Sequence, residues 1–165
     1  MMHGTRINFG WGRVVLLTIL ALAATVLPLP EPLEPFRPNF VALTVLWFCL
    51  LSPRLLGLSY AWISGLLLEL GIASFAGVLL GQHALTLTVI AYVACKLRLQ
   101  IRAFPPLQQS AVILALLWLN EFLLFWIDGI AGHAITDWRR WITVPVSAAL
   151  WPLVAGFYAR FAPRR

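Results

Sequence analysis

The run NFVALTVLWFCLL, Asn39 to Leu51, decides the architecture of this chain. It is apolar enough to enter a bilayer. As a helix, however, it rises only ~20 Å against ~30 Å of hydrocarbon. If it crosses, by thinning the bilayer or recruiting flanking residues, the chain crosses six times and both ends share one side. If it turns back, every later loop changes sides. The basic residues favour crossing. With the N-terminus inside, the inner side collects Arg6, Arg13, Arg54, Lys96, Arg98, Arg102, Arg160, Arg164 and Arg165, and the outer side only Arg37, Arg139 and Arg140. Such a bias sets orientation in membrane proteins. A re-entrant reading destroys it.

Working outward, the other apolar runs give spans at about 14–27, 55–72, 77–95, 109–127 and 141–158, beside 39–51. The first resembles a secretory signal, with Arg6 and Arg13 before it and Ala21, Ala23 and Ala24 near its end. The further apolar runs behind it favour a retained first span. Between the first two spans lie Pro28, Pro30, Pro32, Pro35 and Pro38, which predict a stiff, extended loop. Pro53 and Arg54 predict a tight turn, and Lys96, Arg98 and Arg102 a basic loop ending at Pro105 and Pro106. Trp11, Trp126, Trp138 and Trp141 fall near span boundaries, where indole suits the headgroup zone.

Composition agrees. The 165 residues are 61% hydrophobic and 11% charged, with a mean hydropathy of +0.89. A soluble domain carries about 25% charge. One small globule cannot hide this much apolar surface, and disorder needs the opposite composition. The expectation is one polytopic all-α membrane domain over residues 1–165, without a soluble domain. The net charge of +6 does not point to nucleic acid, because the basic residues sit singly or in small groups between apolar runs. Cys49 and Cys95, each inside an apolar stretch, offer neither a disulfide framework nor a metal spacing.

Four of the six acids, Glu31, Glu34, Asp128 and Asp137, fall in predicted outer loops; Glu69 and Glu121 fall inside spans. An intramembrane carboxylate is a functional candidate by default. Gly57, Ala61, Gly65 and Glu69 recur every four residues and share one helix face. Small residues at this spacing let another backbone approach. Gly77 and Gly81 make a second short stripe, followed by Gln82 and His83. Three roles remain open for Glu69: a lock between helices, a partner contact, or a proton or ligand site. Glu121, beside Asn120, is read the same way. His83 reads as a polar cap at the outer end of its span, since one histidine makes no metal site. The signatures GxSxG, HExxH, GxxxxGK[ST] and a strand-borne GxGxxG are missing. The expectation is no enzyme and no cofactor.

The succession Arg37-Pro38, Pro53, Gly57, Gly65-Leu66-Leu67-Leu68-Glu69, Leu80-Gly81-Gln82-His83-Ala84-Leu85, Tyr92, Gln108-Gln109, Trp126 and Leu150-Trp151-Pro152 resembles the rod shape-determining MreD family. The likeness covers roughly residues 14–160. It departs at Glu69, where the family usually carries Asp in a Gly-Leu-Leu-Leu-Asp-like run. The resemblance implies a component of the bacterial inner membrane; the count of basic residues places both termini on its cytoplasmic side. It implies a non-catalytic scaffold of the elongation machinery that binds an MreC-like protein and, through it, MreB and the peptidoglycan synthases. It also implies a fold similar to the S-components of energy-coupling-factor vitamin transporters. On that analogy Arg37, Glu69, Gln82, His83 and Glu121 would line an outer pocket for a small ligand, the alternative function. Fold likeness alone does not carry function.

Overall fold

A computed structural model describes residues 10–28, 30–53, 56–73, 81–132 and 138–161. These residues are all helical or loop. The α-helices are α1 (Trp11–Val26), α2 (Phe40–Leu51), α3 (Leu58–Ala73), α4 (Gln82–Ala103), α5 (Pro106–Ile130) and α6 (Thr143–Phe161). Segments Gln82–Ala103, Pro106–Ile130 and Arg140–Phe161 are long and apolar enough to cross a membrane, by length and composition. The other three are shorter apolar helices. The predicted positions Arg54, Gly77, Arg164 and Arg165, with Arg6 and His133, lie outside the described residues.

The short second run forms the centre of the bundle. Every residue of α2 from Val41 to Leu50 is buried, and the helix packs against α1, α3, α4 and α6. A helix that is hydrophobic all round belongs in an interior. Around it, neighbours follow the order α1, α3, α4, α5, α6. The outward faces carry Leu16, Ile19, Ile63, Leu70, Trp118 and Leu153, each more than half exposed. In water this belt would be costly; hydrocarbon is its natural solvent.

The ends of α2, a helix of only 12 residues, carry backbone groups with no partner inside the helix. The Asn39 side chain accepts the Ala42 N–H at 3.0 Å, and the Asn39 N–H donates to Ser147 Oγ at 2.9 Å. Midway along, the Thr44 and Tyr158 hydroxyls share a hydrogen bond of 2.7 Å. At the opposite end of the bundle, Arg13 donates to the Phe161 carbonyl at 3.2 Å, tying the start of α1 to the end of α6.

Three loop expectations need correction. The proline-rich segment is not simply extended, because Glu31–Phe36 winds into a 3-10 turn. Its bonds run from the N–H groups of Leu33 and Arg37 to the carbonyls of Pro30 and Glu34. The prolines therefore sit where no donor is required. Lys96, Arg98 and Arg102 are not in a loop but on the last two turns of α4, which runs to Ala103. Nothing there breaks the helix until Pro105, and Pro106 opens α5 at its first position, where a missing N–H costs nothing. Asp128 likewise belongs to α5, which continues to Ile130.

Candidate polar site at the ends of α3, α4 and α5

Glu69 is fully buried near the end of α3. It reaches the start of α4, a helix whose N-cap is Gly81 with no side chain to offer. The first N–H groups of a helix have no partner within it. Glu69 supplies one. Its Oε2 accepts the Gly81 N–H at 2.6 Å, and its Oε1 accepts His83 N–H at 2.6 Å and Ala84 N–H at 3.4 Å. The carboxylate also lies at the positive end of the α4 dipole. It is therefore a cap delivered from a neighbouring helix. The His83 ring stands beside it, Nδ1 to Oε1 3.8 Å. That nitrogen is buried and has no hydrogen-bond partner among the described residues.

The glycines divide by role. A Cβ on Gly65 would run into the backbone of α4, touching Ala84 Cα and lying 2.6 Å from Ala84 N and 2.8 Å from His83 C. This contact holds α3 close enough for Glu69 to reach α4. Ala61 is buried on the same face. Gly57 serves its own turn instead, since a Cβ there would strike the Pro53 carbonyl oxygen. Gly81 meets nothing within 4 Å and has φ +105°. It is required by backbone conformation, not by helix packing, which corrects the expected second stripe at that position.

Glu121 on α5 does not touch Glu69. It pairs with Arg140, Oε2 to Nε 3.6 Å, and Arg140 also donates to Asp128 Oδ2 at 3.0 Å. The three side chains are 12–17% exposed. Arg140 thus clamps two acids of α5 to the turn that opens α6. Asn120 beside them is buried, with Oδ1 unpaired. The charges of Asp128 and Arg140 act on His83 through space, with no direct bond between the two clusters among the described residues. Arg37 stays apart, donating to the carbonyls of Thr25 at 2.9 Å and Leu27 at 2.6 Å and so capping the end of α1. The Gln82 side chain, at the first position of α4, has no hydrogen-bond partner among the described residues. Sequence reading missed Asp128 and Arg140. The available signal was the spacing of Glu121 and Asp128, seven residues apart and hence on one helix face.

Most of these polar groups are spent on one another, an arrangement suited to holding helix ends together. Among the described residues no group of His, Cys, Asp or Glu is placed to hold a metal ion. Arg140→Gln should leave two carboxylates facing each other. Removing one partner of a fully buried pair costs about 3–5 kcal/mol; partial exposure here lowers the expectation to about 2 kcal/mol. Thermal unfolding in detergent checks this, and Glu121→Gln added to Arg140→Gln should recover part of the loss.

Comparison with known proteins gives a consistent result. The family model described as rod shape-determining protein MreD matches residues 5–161. The rod shape-determining protein MreD of Haemophilus influenzae is 24% identical over 150 residues, covering 91% of this chain and 90% of the relative. No solved structure matches. With a family model spanning nearly the whole chain, the protein belongs to the MreD family of rod shape-determining proteins.

Proposed function

We propose that this protein is a non-catalytic scaffold of the cell-wall elongation complex, seated in the bacterial inner membrane, where it binds an MreC-like partner and through it MreB and the peptidoglycan synthases. The observation that carries this reading is the family match over residues 5–161. The geometry supports it by contrast. A transporter or ligand-binding protein presents convergent polar groups to a hollow. Here the carboxylates of Glu69, Glu121 and Asp128 are engaged by the protein's own donors. Two hollows, one between α1 and α6 and one beside Trp118 and Trp141, are lined almost wholly by apolar side chains. The reading includes six crossings with both ends in the cytoplasm. Its support is the Arg13 bond to Phe161, which brings the first and last helices together at one end, and the distribution of Lys and Arg.

Co-expression of the protein with the MreC homologue of the same genome tests the scaffold. Extraction in mild detergent should yield a stoichiometric complex that survives size-exclusion chromatography. Elution of the protein alone, with the partner intact in its own peak, would refute the reading. Accessibility labelling of cysteines introduced at Lys96 and Arg160 tests the crossings. Both should react only from the cytoplasmic side.

A further inference from the structure

The outer helices pack in sequence from α1 through α3, α4 and α5 to α6, but the ring does not close tightly between α6 and α1. A hollow of about 480 Å³ lies there, walled by Leu17, Ala21 and Ala24 of α1 and by Leu153, Val154 and Phe157 of α6. Phe40 and Tyr158 also line it. The Tyr158 hydroxyl is engaged by Thr44 at 2.7 Å, so it offers the hollow no free polar group. The occupant that fits the seam is hydrocarbon.

Two further features narrow the choice. The first is size. An apolar cavity of ~150 Å³ takes one benzene ring; at three times that volume the seam takes a hydrocarbon chain, whereas a helix ~10 Å across would lie over it rather than in it. The second is charge. One turn below Leu17 stands Arg13, which spends one bond on the Phe161 carbonyl. Arg160 is exposed in the last turn of α6. Residues 1–30 and 138–165, which include both seam helices, contain no Asp or Glu. By helical spacing Arg13 precedes Leu17 by one turn on α1, and Arg160 follows Leu153 and Phe157 at seven and three residues on α6, so both cations continue the seam faces, without an acid on their own helices. An acyl chain joined to a negatively charged headgroup satisfies both features together.

We propose that the seam between α1 and α6 is a binding site for an anionic phospholipid, with one acyl chain between the helices and the phosphate held by Arg13 and Arg160. The site is independent of the partner contact proposed above. Its arginines belong to a leaflet surface where each cation favours an anionic lipid. Two of them give a roughly thirtyfold preference over a zwitterionic lipid.

The test uses the full chain purified in mild detergent, with phosphatidylglycerol and phosphatidylcholine of matched chains as probes and native mass spectrometry as the readout. The protein should retain phosphatidylglycerol roughly thirtyfold better. Arg13→Gln with Arg160→Gln should abolish that preference, and Ala24→Trp, which fills the seam, should lower retention of both lipids. Lys96→Gln with Arg98→Gln, on a helix that does not flank the seam, should change neither. Equal retention of the two lipids by the parent would overturn the proposal. So would an equal loss in the Lys96/Arg98 variant, which would mean diffuse attraction to the basic surface. Unchanged retention in both seam variants would overturn it as well, and if Ala24→Trp instead releases an MreC-like partner while keeping lipid, the seam is a protein interface. Far-ultraviolet circular dichroism identifies any variant that fails to fold, and the arginine pair, being exposed, tests the site even if Ala24→Trp does not fold.

Discussion

Gly65→Leu is expected to abolish the folded bundle. A single added carbon at this position meets the α4 main chain, 2.6 Å from Ala84 N and 2.8 Å from His83 C. Backbone in a packed helix cannot swing aside as a flexible side chain can. The two helices would have to separate, and the separation would withdraw Glu69 from the N–H groups it caps. Gly65→Ala should already cost at least the ~1–3 kcal/mol of an overpacked interior site. Leucine adds three more carbons to the same clash. Thermal unfolding followed by size-exclusion fluorescence in mild detergent reads the effect. Alanine should lower the midpoint sharply and leucine should leave no monodisperse peak. A leucine variant that unfolds beside the parent would show that α3 and α4 are not held at this distance.

Glu69→Gln should rank second. The change keeps shape and volume and replaces one accepting oxygen with a donating NH2 group. Whichever way the amide turns, a donor then faces either the Gly81 N–H or the paired N–H groups of His83 and Ala84. The charge that opposes the α4 dipole is lost as well. Hydrogen bonds to a charged group are worth about 1.5–3 kcal/mol each, so a loss of roughly 3–5 kcal/mol is expected. Glu69→Asp should lose less, because the carboxylate survives but stands one methylene short of its donors. Hydrogen exchange at Gly81, His83 and Ala84 would report the cap directly. Protection should fall most in glutamine and least in the parent. Equal protection in all three would mean that the cap contributes little.

Much of this arrangement was legible in the residues themselves. The uniform hydrophobicity of 39–51 marks a segment that needs cover on every side, and α2 has it. The four-residue spacing of Ala61, Gly65 and Glu69 puts Glu69 on a packed face, where it is buried, while Gly57 at the head of the same series lies just before α3. The partners of that face were not legible. Glu69 reaches backbone N–H groups, which no side-chain pattern displays. Arg140 meets Glu121 and Asp128 across 19 and 12 residues, a closure set by tertiary packing. Asp128 reads as a loop residue when the end of α5 is set at 127, whereas the helix continues to Ile130. Gly81 resembled a packing glycine since sequence does not distinguish a need for small size from a need for positive φ. Lys96, Arg98 and Arg102 looked like a loop because basic residues mark membrane boundaries, yet a helix can run on past that boundary into the headgroup zone.

The placement of α2 has a consequence for biogenesis. The ribosome delivers it second, but two of the helices that cover it, α4 and α6, are completed only at Ala103 and Phe161. At ~5–20 residues per second, translation leaves this segment without its last cover for roughly 5–20 seconds. During that interval its only covers from the chain itself are α1 and α3, and the remaining faces need the insertion machinery or a chaperone of the membrane. Delays in synthesis beyond Leu51 should therefore expose the nascent chain to quality-control proteolysis more than equal delays near its end.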